Sequence, residues 1–252
     1  MDSLKQRLAT FFEELGRFFI TLWRVFAWTP RPPYDLRQLL LQMGRVGVQS
    51  IPVIGLTALF TGMVLALQTS SVLMRFNAER YVGSIVALSM VRELSCVIGG
   101  LVVAGRCGSA MGAELGTMRV TEQIDALEVL ATDPIHYLFV PRVWAMTLTL
   151  PMLIVLGDVV GIWGGYLISV NLMGANPVSY MATTWQFMDL KDVLSGVIKA
   201  AFFGLLVAQI GCQMGFYTRG GAAGVGRSTT RAVVVASIAI LISDFFLTRI
   251  LF

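Results

Sequence analysis

Arg92 and Glu93 stand side by side inside an otherwise apolar stretch, GSIVALSMVRELSCVIGGLVVAG (83–105). A charge within a membrane span is costly unless it is paired, hydrated or turned toward a cavity. Adjacent residues on an α-helix point about 100° apart, so these two cannot share one direction. One can face a cavity while the other packs against a neighbouring helix or a second protomer. Leu65 and Gln68, on the preceding apolar segment, would add an apolar wall and a polar group. Together the four residues have the mixed chemistry that a lipid-binding cavity needs. The competing reading is an interhelical salt bridge that holds the bundle together. Asp158, Lys199 and Asp244 are weaker candidates, each able to line a water path, pair or snorkel. Asp158 with Lys199 is a candidate bridge between two spans. Arg227 and Arg231 are read as lipid-phosphate contacts or topology determinants.

Other chemistries lack their residues. A P-loop needs Gly-Lys-Ser/Thr, so that lysine reaches phosphate and the hydroxyl reaches magnesium. The three lysines, Lys5, Lys191 and Lys199, are followed by Gln, Asp and Ala. His136 is the single histidine, and Cys96, Cys107 and Cys212 lack metal-ligand spacing. His136 is read as an interfacial residue. No G-x-S-x-G elbow is present, which argues against a membrane hydrolase.

These residues sit in a chain of 252 residues that is 56% hydrophobic and 13% charged, with mean hydropathy +0.75. Soluble domains carry roughly 25% charge. Disorder and a disulfide scaffold are excluded with the soluble domain, leaving a helical integral membrane protein. Its length allows about five or six spans of roughly 20 residues. The N-terminus lacks a short apolar core followed by a small-residue cleavage site, so no cleavable signal peptide is expected.

Residues 3–28 place Leu4, Leu8, Phe11, Phe12, Leu15, Phe18, Phe19, Leu22 and Phe26 at helical spacing, with Lys5, Arg7, Glu13, Glu14, Arg17 and Arg24 between them. Six charges argue against a span and for an amphipathic helix lying in the interface; a soluble packing helix is the alternative. Trp23 and Trp28 suit headgroup level. Pro30, Pro32 and Pro33 end the segment. The predicted spans lie within 46–74, where the chain must tilt, protrude or bend at Pro52, and near 81–105, 143–171, 193–216 and 232–252. The expected fold is therefore all-α: interfacial helix and linker over 1–33, then a five-span domain over 34–252. With the N-terminus inside, 13 basic residues fall inside and four outside, which predicts N-in, C-out. Small residues recur every four positions at Gly100–Gly116, Gly157–Ser169 and Gly196–Cys212. Such ridges predict a tight bundle or dimer.

Between spans two and three the chain reads GRCGSAMGAELGTMRVTEQIDALEVLATDPIHYLFVPR (105–142). Glu114, Arg119, Glu122, Asp125, Glu128 and Asp133 concentrate charge over 114–133. Thr121 to Leu130 is expected to be helical, its acids outward while Ile124, Leu127, Val129 and Leu130 pack elsewhere. Such a helix, attached to two spans, could serve as a lever for a partner protein; a solvated loop is the other reading.

The string AELGTMRVTEQIDALEVLATDPIHYLFVPR resembles the signature of the Mla-type (MlaE/YrbE) permease family of phospholipid ABC transporters. The likeness extends through GMVLALQ (62–68), MVRELSCVIGGLVVAGRCGSAMGAELG (90–116) and GRSTTRAVV (226–234). Family members commonly have Gly-Pro after Arg-Glu-Leu, whereas this chain has Ser95 and Cys96, which leaves a break of the second span open. The resemblance implies lipid contacts at Leu65, Gln68, Arg92 and Glu93. It implies a cytoplasmic ABC ATPase docking over Glu114–Leu130, with Glu114, Arg119, Glu122, Gln123 and Asp125 as coupling residues. It further implies a homodimer in the bacterial inner membrane, phospholipid as cargo, a periplasmic MCE-domain partner and a small STAS-domain protein on the ATPase. No nucleic acid is implied. ATP and magnesium would sit on the ATPase, with no cofactor in this chain. Alternatives are a sterol or other-lipid permease of the same class, an ion-coupled secondary transporter using Glu93, Asp158 and Asp244, and a membrane scaffold.

Overall fold

A computed structural model describes residues 2–30 and 35–252, with side chains from residue 12 onward. The side chains of Leu4, Lys5, Arg7, Leu8 and Phe11, and all of Arg31, Pro32 and Pro33, lie outside the described residues. The described chain is helical and contains no strand. Helix α1 (Asp2–Trp28) buries Thr21 and Val25 and packs Phe18 on the core, while Phe19 and Trp23 stay exposed. Polar contacts dock it. Gln209 Nε2 donates to Thr21 Oγ1 at 2.7 Å, and Trp144 Nε1 to Thr29 Oγ1 at 2.9 Å. The Trp28 ring lies 5.2 Å from His136.

Helix α2 (Leu36–Val46) starts at Asp35, whose carboxylate accepts from the Gln38 N–H at 2.9 Å, satisfying a free helix-end donor. A 3₁₀ turn at Val48–Ser50 leads into α3 (Ile51–Leu73). The change of path therefore falls at Gly47–Ser50 and not at Pro52. Proline in the first turn of α3 loses no helix hydrogen bond, so it starts the helix without bending it.

The second span runs from Glu79 to Val120, well past the expected end near 105. It comprises α4 (Val82–Ser89), α5 (Ser95–Val103) and α6 (Ser109–Val120), joined by π-turns at Met90–Leu94 and Ala104–Gly108. Continuing the helix is rewarded because its small-residue face packs against α10 and α11. Helix α7 (Gln123–Val129) is shorter than the expected Thr121–Leu130. Glu122 before it and Ala131 after it have left-handed backbones, with φ 61° and 56°, which close the helix at both ends.

Helix α8 (Val140–Asn171) carries the third span and continues through Pro151. An unexpected short helix follows, α9 (Pro177–Phe187), whose cue was Asn-Pro: the Asn176 side chain caps the N–H groups of Val178 and Ser179. Helices α10 (Leu190–Phe216) and α11 (Gly221–Leu251) complete five helices long and apolar enough to cross a membrane. α8 packs on α3 at one side and α10 at the other, and α10 also packs on α6 and α11.

The small-residue ridges serve contacts within the chain. A Cβ added at Gly62 would lie 1.9 Å from the Gly161 carbonyl oxygen, so α3 and α8 cross backbone to backbone. Close approach of this kind replaces the hydrophobic driving force that lipid cannot supply. Gly62→Ala should destabilise the protein by about 1–3 kcal/mol or more through overpacking. Gly55→Ala, on the same helix but with nothing within 4 Å of its Cβ, should leave stability unchanged or slightly raised. Thermal unfolding in detergent separates the two; equal melting points would contradict the crossing.

Candidate functional site

The strongest concentration of buried charge lies where α10 begins and α11 ends. Asp192 and Lys199 are seven residues apart on α10, two helical turns, and so face the same way. Opposite them runs the π-turn Met90–Leu94, which carries Arg92 and Glu93. Gly196, between Asp192 and Lys199, makes the approach possible: a Cβ there would stand 2.7 Å from the Val91 carbonyl oxygen. The wide turn therefore sits against α10, and its two charged residues diverge along it. Arg92 reaches Asp192, with Nε and Nη2 each 2.8 Å from Oδ1. Glu93 reaches Lys199, with Oε2 2.9 Å from Nζ.

Lys199 is fully buried. Its ammonium also lies 3.1 Å from Asp244 Oδ1, and donates to Thr248 Oγ1 at 2.7 Å and to the Arg92 carbonyl at 3.1 Å. One ammonium thus joins the π-turn, α10 and α11. Two carboxylates face one lysine, while the Asp192 carboxylate is taken by Arg92 and by the Asp189 backbone N–H at 3.0 Å, in a capping box at the start of α10. The Arg92 guanidinium is also 4.6 Å above the Phe252 ring. Arg92 and Glu93 remain partly exposed, at 41% and 37% of their side-chain surface. The cluster is therefore open on one side. There, Glu93, Leu241, Asp244, Phe245, Thr248 and Arg249 line an opening of about 410 Å³. The outward face of α11 beside it is apolar and exposed at Leu241, Ile242, Phe245 and Phe246. A charged floor against an apolar wall matches an amphiphile, headgroup to charge and chain to hydrocarbon.

Leu65 and Gln68 are placed elsewhere. Leu65 packs in a smaller cluster with Ala66, Val82, Val86, Met90 and Tyr180, between α3, α4 and α9. Gln68 is exposed on α3. The partners of Arg92 and Glu93 lie instead on α10, α11 and the C-terminus. The expected Asp158–Lys199 bridge is absent among the described residues: Lys199 is occupied by Glu93 and Asp244, and Asp158 is buried beside Ser95 and Cys96. The π-turn answers the question left by Ser95 and Cys96, since the helix is interrupted without Gly-Pro. Sequence reading missed Asp192 and Thr248. The Asp189-x-x-Asp192 box was visible as a helix start, but nothing in the sequence linked Asp192 to a residue 100 positions earlier.

The opposite end of the bundle holds the acidic segment. Glu114 lies 3.0 Å from the buried Arg142 and 3.8 Å from Arg45, so it ties α6 to α8 and α2. Arg142 also donates to the Leu138 carbonyl at 2.8 Å. Arg119 and Asp125, 2.5 Å apart, brace the turn from α6 to α7. Glu122 and Gln123 are exposed. Ile124 is buried and Leu127 packs on the core, as expected. Val129 and Leu130 do not pack: they are 87% and 73% exposed, because α7 stops before its last turn can fold back.

Five apolar helices with a charged, one-sided opening at one end and an exposed acidic-apolar helix at the other define a membrane permease. The family model described as "Permease MlaE" matches residues 39–250, and the chain belongs to that family, the permease subunits of ABC transporters. It is 44% identical to a "probable ABC transporter permease protein" of Rickettsia typhi, over 96% of this chain and 93% of that one. It is 39% identical to the "intermembrane phospholipid transport system permease protein MlaE" of Haemophilus influenzae, over 100% and 97%. It is 43% identical to the "protein trigalactosyldiacylglycerol 1, chloroplastic" of Arabidopsis thaliana, over 86% of this chain and 62% of that one. The chain is a multi-pass protein of the inner membrane.

Lys199→Met should cost about 3–5 kcal/mol, since it leaves Glu93 and Asp244 facing each other without a cation. Combining it with Glu93→Gln and Asp244→Asn should recover most of that loss. Unfolding in detergent measures both; a triple variant no more stable than the single one would count against the network as drawn.

Proposed function

We propose that this chain is the membrane permease of an ATP-driven phospholipid transporter, working as a homodimer and exchanging lipid with a periplasmic MCE-domain protein. The observation that carries this reading is the one-sided opening over Glu93, Asp244 and Thr248, walled by the apolar face of α11. Phospholipids have a charged end and two apolar chains, and this opening offers a surface for each. The name of the Haemophilus relative supports phospholipid as the cargo. The second protomer would cover Ile242 and Phe246 of α11, the least buried of the five spans, and leave Leu241 and Phe245 to wall the opening. Leu65 and Gln68 would then contact acyl chain along α3, away from the headgroup floor.

ATP hydrolysis belongs to a separate ABC ATPase, which would hold ATP and magnesium and carry the STAS-domain protein. It would dock on α7 at the N-terminal face, which the distribution of basic residues assigns to the cytoplasm. Val129 and Leu130 provide an apolar anchor and Glu122, Gln123 and Asp125 a polar rim, the arrangement of a transient interface. Glu114 acts through position, holding α6 against α8. Movement of α7 passes along the single helical run from Val120 back to Arg92 and Glu93. Opening or closing the charged floor then follows from shifts of that run against α10.

Two measurements test the reading. Reversing charge at Glu122 and Asp125 together should cut co-purification of the ATPase by about tenfold, equivalent to ~1.4 kcal/mol, while membrane insertion is unchanged. Arg92→Ala or Glu93→Ala should lower bound phospholipid in native mass spectra severalfold. Normal complex yield and normal lipid occupancy would leave the ion-pair cluster as a purely structural brace.

A further inference from the structure

A second polar opening lies at the N-terminal face, remote from the Lys199 cluster. It measures about 420 Å³ and sits where α1 meets the turn between α10 and α11. Three guanidinium groups line it: Arg17, Arg219 and Arg231. Two are already neutralised. Arg17 pairs with Glu13 on its own helix and lies 5.1 Å over the Tyr217 ring. Arg231 lies 3.1 Å from both carboxylate oxygens of Glu14, which binds α1 to α11. Arg219 is exposed and makes no ion pair among the described residues. The opening therefore carries one uncompensated positive charge.

Its hydrogen-bonding groups are only partly spent. Thr218 Oγ1 donates to the Met214 carbonyl at 3.0 Å and lies 2.8 Å from Ser228 Oγ, so the Ser228 proton is taken up by Thr218. Gln213 lines the opening and is 4% exposed; its Nε2 donates to the Glu14 carbonyl at 3.1 Å, while its buried Oε1 has no partner. A buried acceptor without a donor is costly unless something supplies one. The turn that carries Arg219 is fixed by Gly220 and Gly221, both left-handed at φ 91° and 64°, conformations that side chains resist. Along the same stretch of α1, Phe19, Ile20 and Trp23 are exposed. An anionic group in the opening would thus lie beside an apolar helix surface suited to acyl chains.

We infer that this opening binds the phosphodiester headgroup of a glycerophospholipid in the leaflet on the N-terminal side. Arg219 meets the phosphate with its unpaired charge, and Arg231 with the guanidinium N–H groups that Glu14 leaves free, since only Nη2 is engaged there. The bound lipid is a fastener between α1 and the α10–α11 turn, distinct from cargo at the Glu93 opening. It does not rest on the transport reading, because it requires neither ATP nor a second protomer.

Arg219→Gln is the informative variant, since Arg219 makes no internal ion pair and its loss should leave the melting temperature unchanged. The full-length chain, stripped of lipid in detergent, is titrated with dioleoyl-phosphatidylethanolamine and followed by native mass spectrometry. Hydrogen exchange over residues 13–24 and 214–231 locates the binding. Lipid should slow exchange in both segments of the unaltered protein. Arg219→Gln should raise the concentration needed at least fivefold, with Arg219→Lys intermediate. Arg92→Ala should leave this protection intact, even where it abolishes binding at the other opening. Dioleoylglycerol, which lacks phosphate, should give no protection. If glycerophosphoethanolamine protects as well as the lipid does, the lipid assignment is overturned in favour of a soluble phosphodiester. If lipid leaves both segments unprotected, or protects Arg219→Gln as well as the unaltered chain, the site itself is overturned.

Discussion

An ammonium group with no access to solvent holds one half of this bundle in register. Lys199 lies inside an apolar helix, and its charge is tolerable only because Glu93 and Asp244 arrive from two other helices to meet it. That requirement is geometric as well as electrostatic. It sets how far α11 stands from α10, and which residues of the second span face inward. Hydrocarbon offers no alternative partner, so the three elements assemble around the lysine or leave it unpaired. The same constraint leaves a chemical remainder. One lysine answers two carboxylates, and Glu93 is still partly open to the outside. A cluster built to hold the bundle thus also presents charge to whatever enters beside α11.

Backbone irregularity makes that arrangement reachable. A regular helix through residues 90–94 would space Arg92 and Glu93 evenly around its axis. The π-turn widens the local coil, and Gly196 allows the Val91 carbonyl to come close. π-turns of this sort are rare and frequently found at functional sites. The second π-turn, Ala104–Gly108, is clamped differently. Arg106 donates to Ser50 at 2.6 Å and to Gln49 at 2.9 Å, so it is tied to the 3₁₀ turn that begins α3. The two irregular points of neighbouring spans are thereby joined.

The N-terminal face is held by ion pairs of another kind. The Glu114–Arg142 contact is half buried, and α7 projects beyond it on a turn that a left-handed Glu122 makes sharp. Val129 and Leu130 are left in the open as a result. Their exposure gives α7 an apolar tip next to its acids, whereas Ile124 and Leu127 pack on the core. α1 is likewise docked by a few polar bonds and keeps aromatic surface exposed, consistent with a helix lying along a membrane.

Much of this was legible in the sequence, because a membrane imposes simple rules on composition. Low charge and long apolar runs gave five spans, and six charges among residues 3–28 separated α1 from them. The Arg92–Glu93 pair stood out because ionisable residues are rare at such depth, and the EQIDAL segment because charge returned there abruptly. Partner choice was not legible. Asp158, Lys199 and Asp244 are equally plausible mates by type, and helical spacing says which face a residue occupies but not which helix lies opposite. Lys199 took Glu93 and Asp244, and Arg92 took Asp192, because the π-turn and the glycine contacts set the rotation and depth of each helix. Those depend on segments meeting across about 45 to 106 residues of chain. The sequence determined which side chains could not remain alone in the membrane; the tertiary structure decided whom each one met.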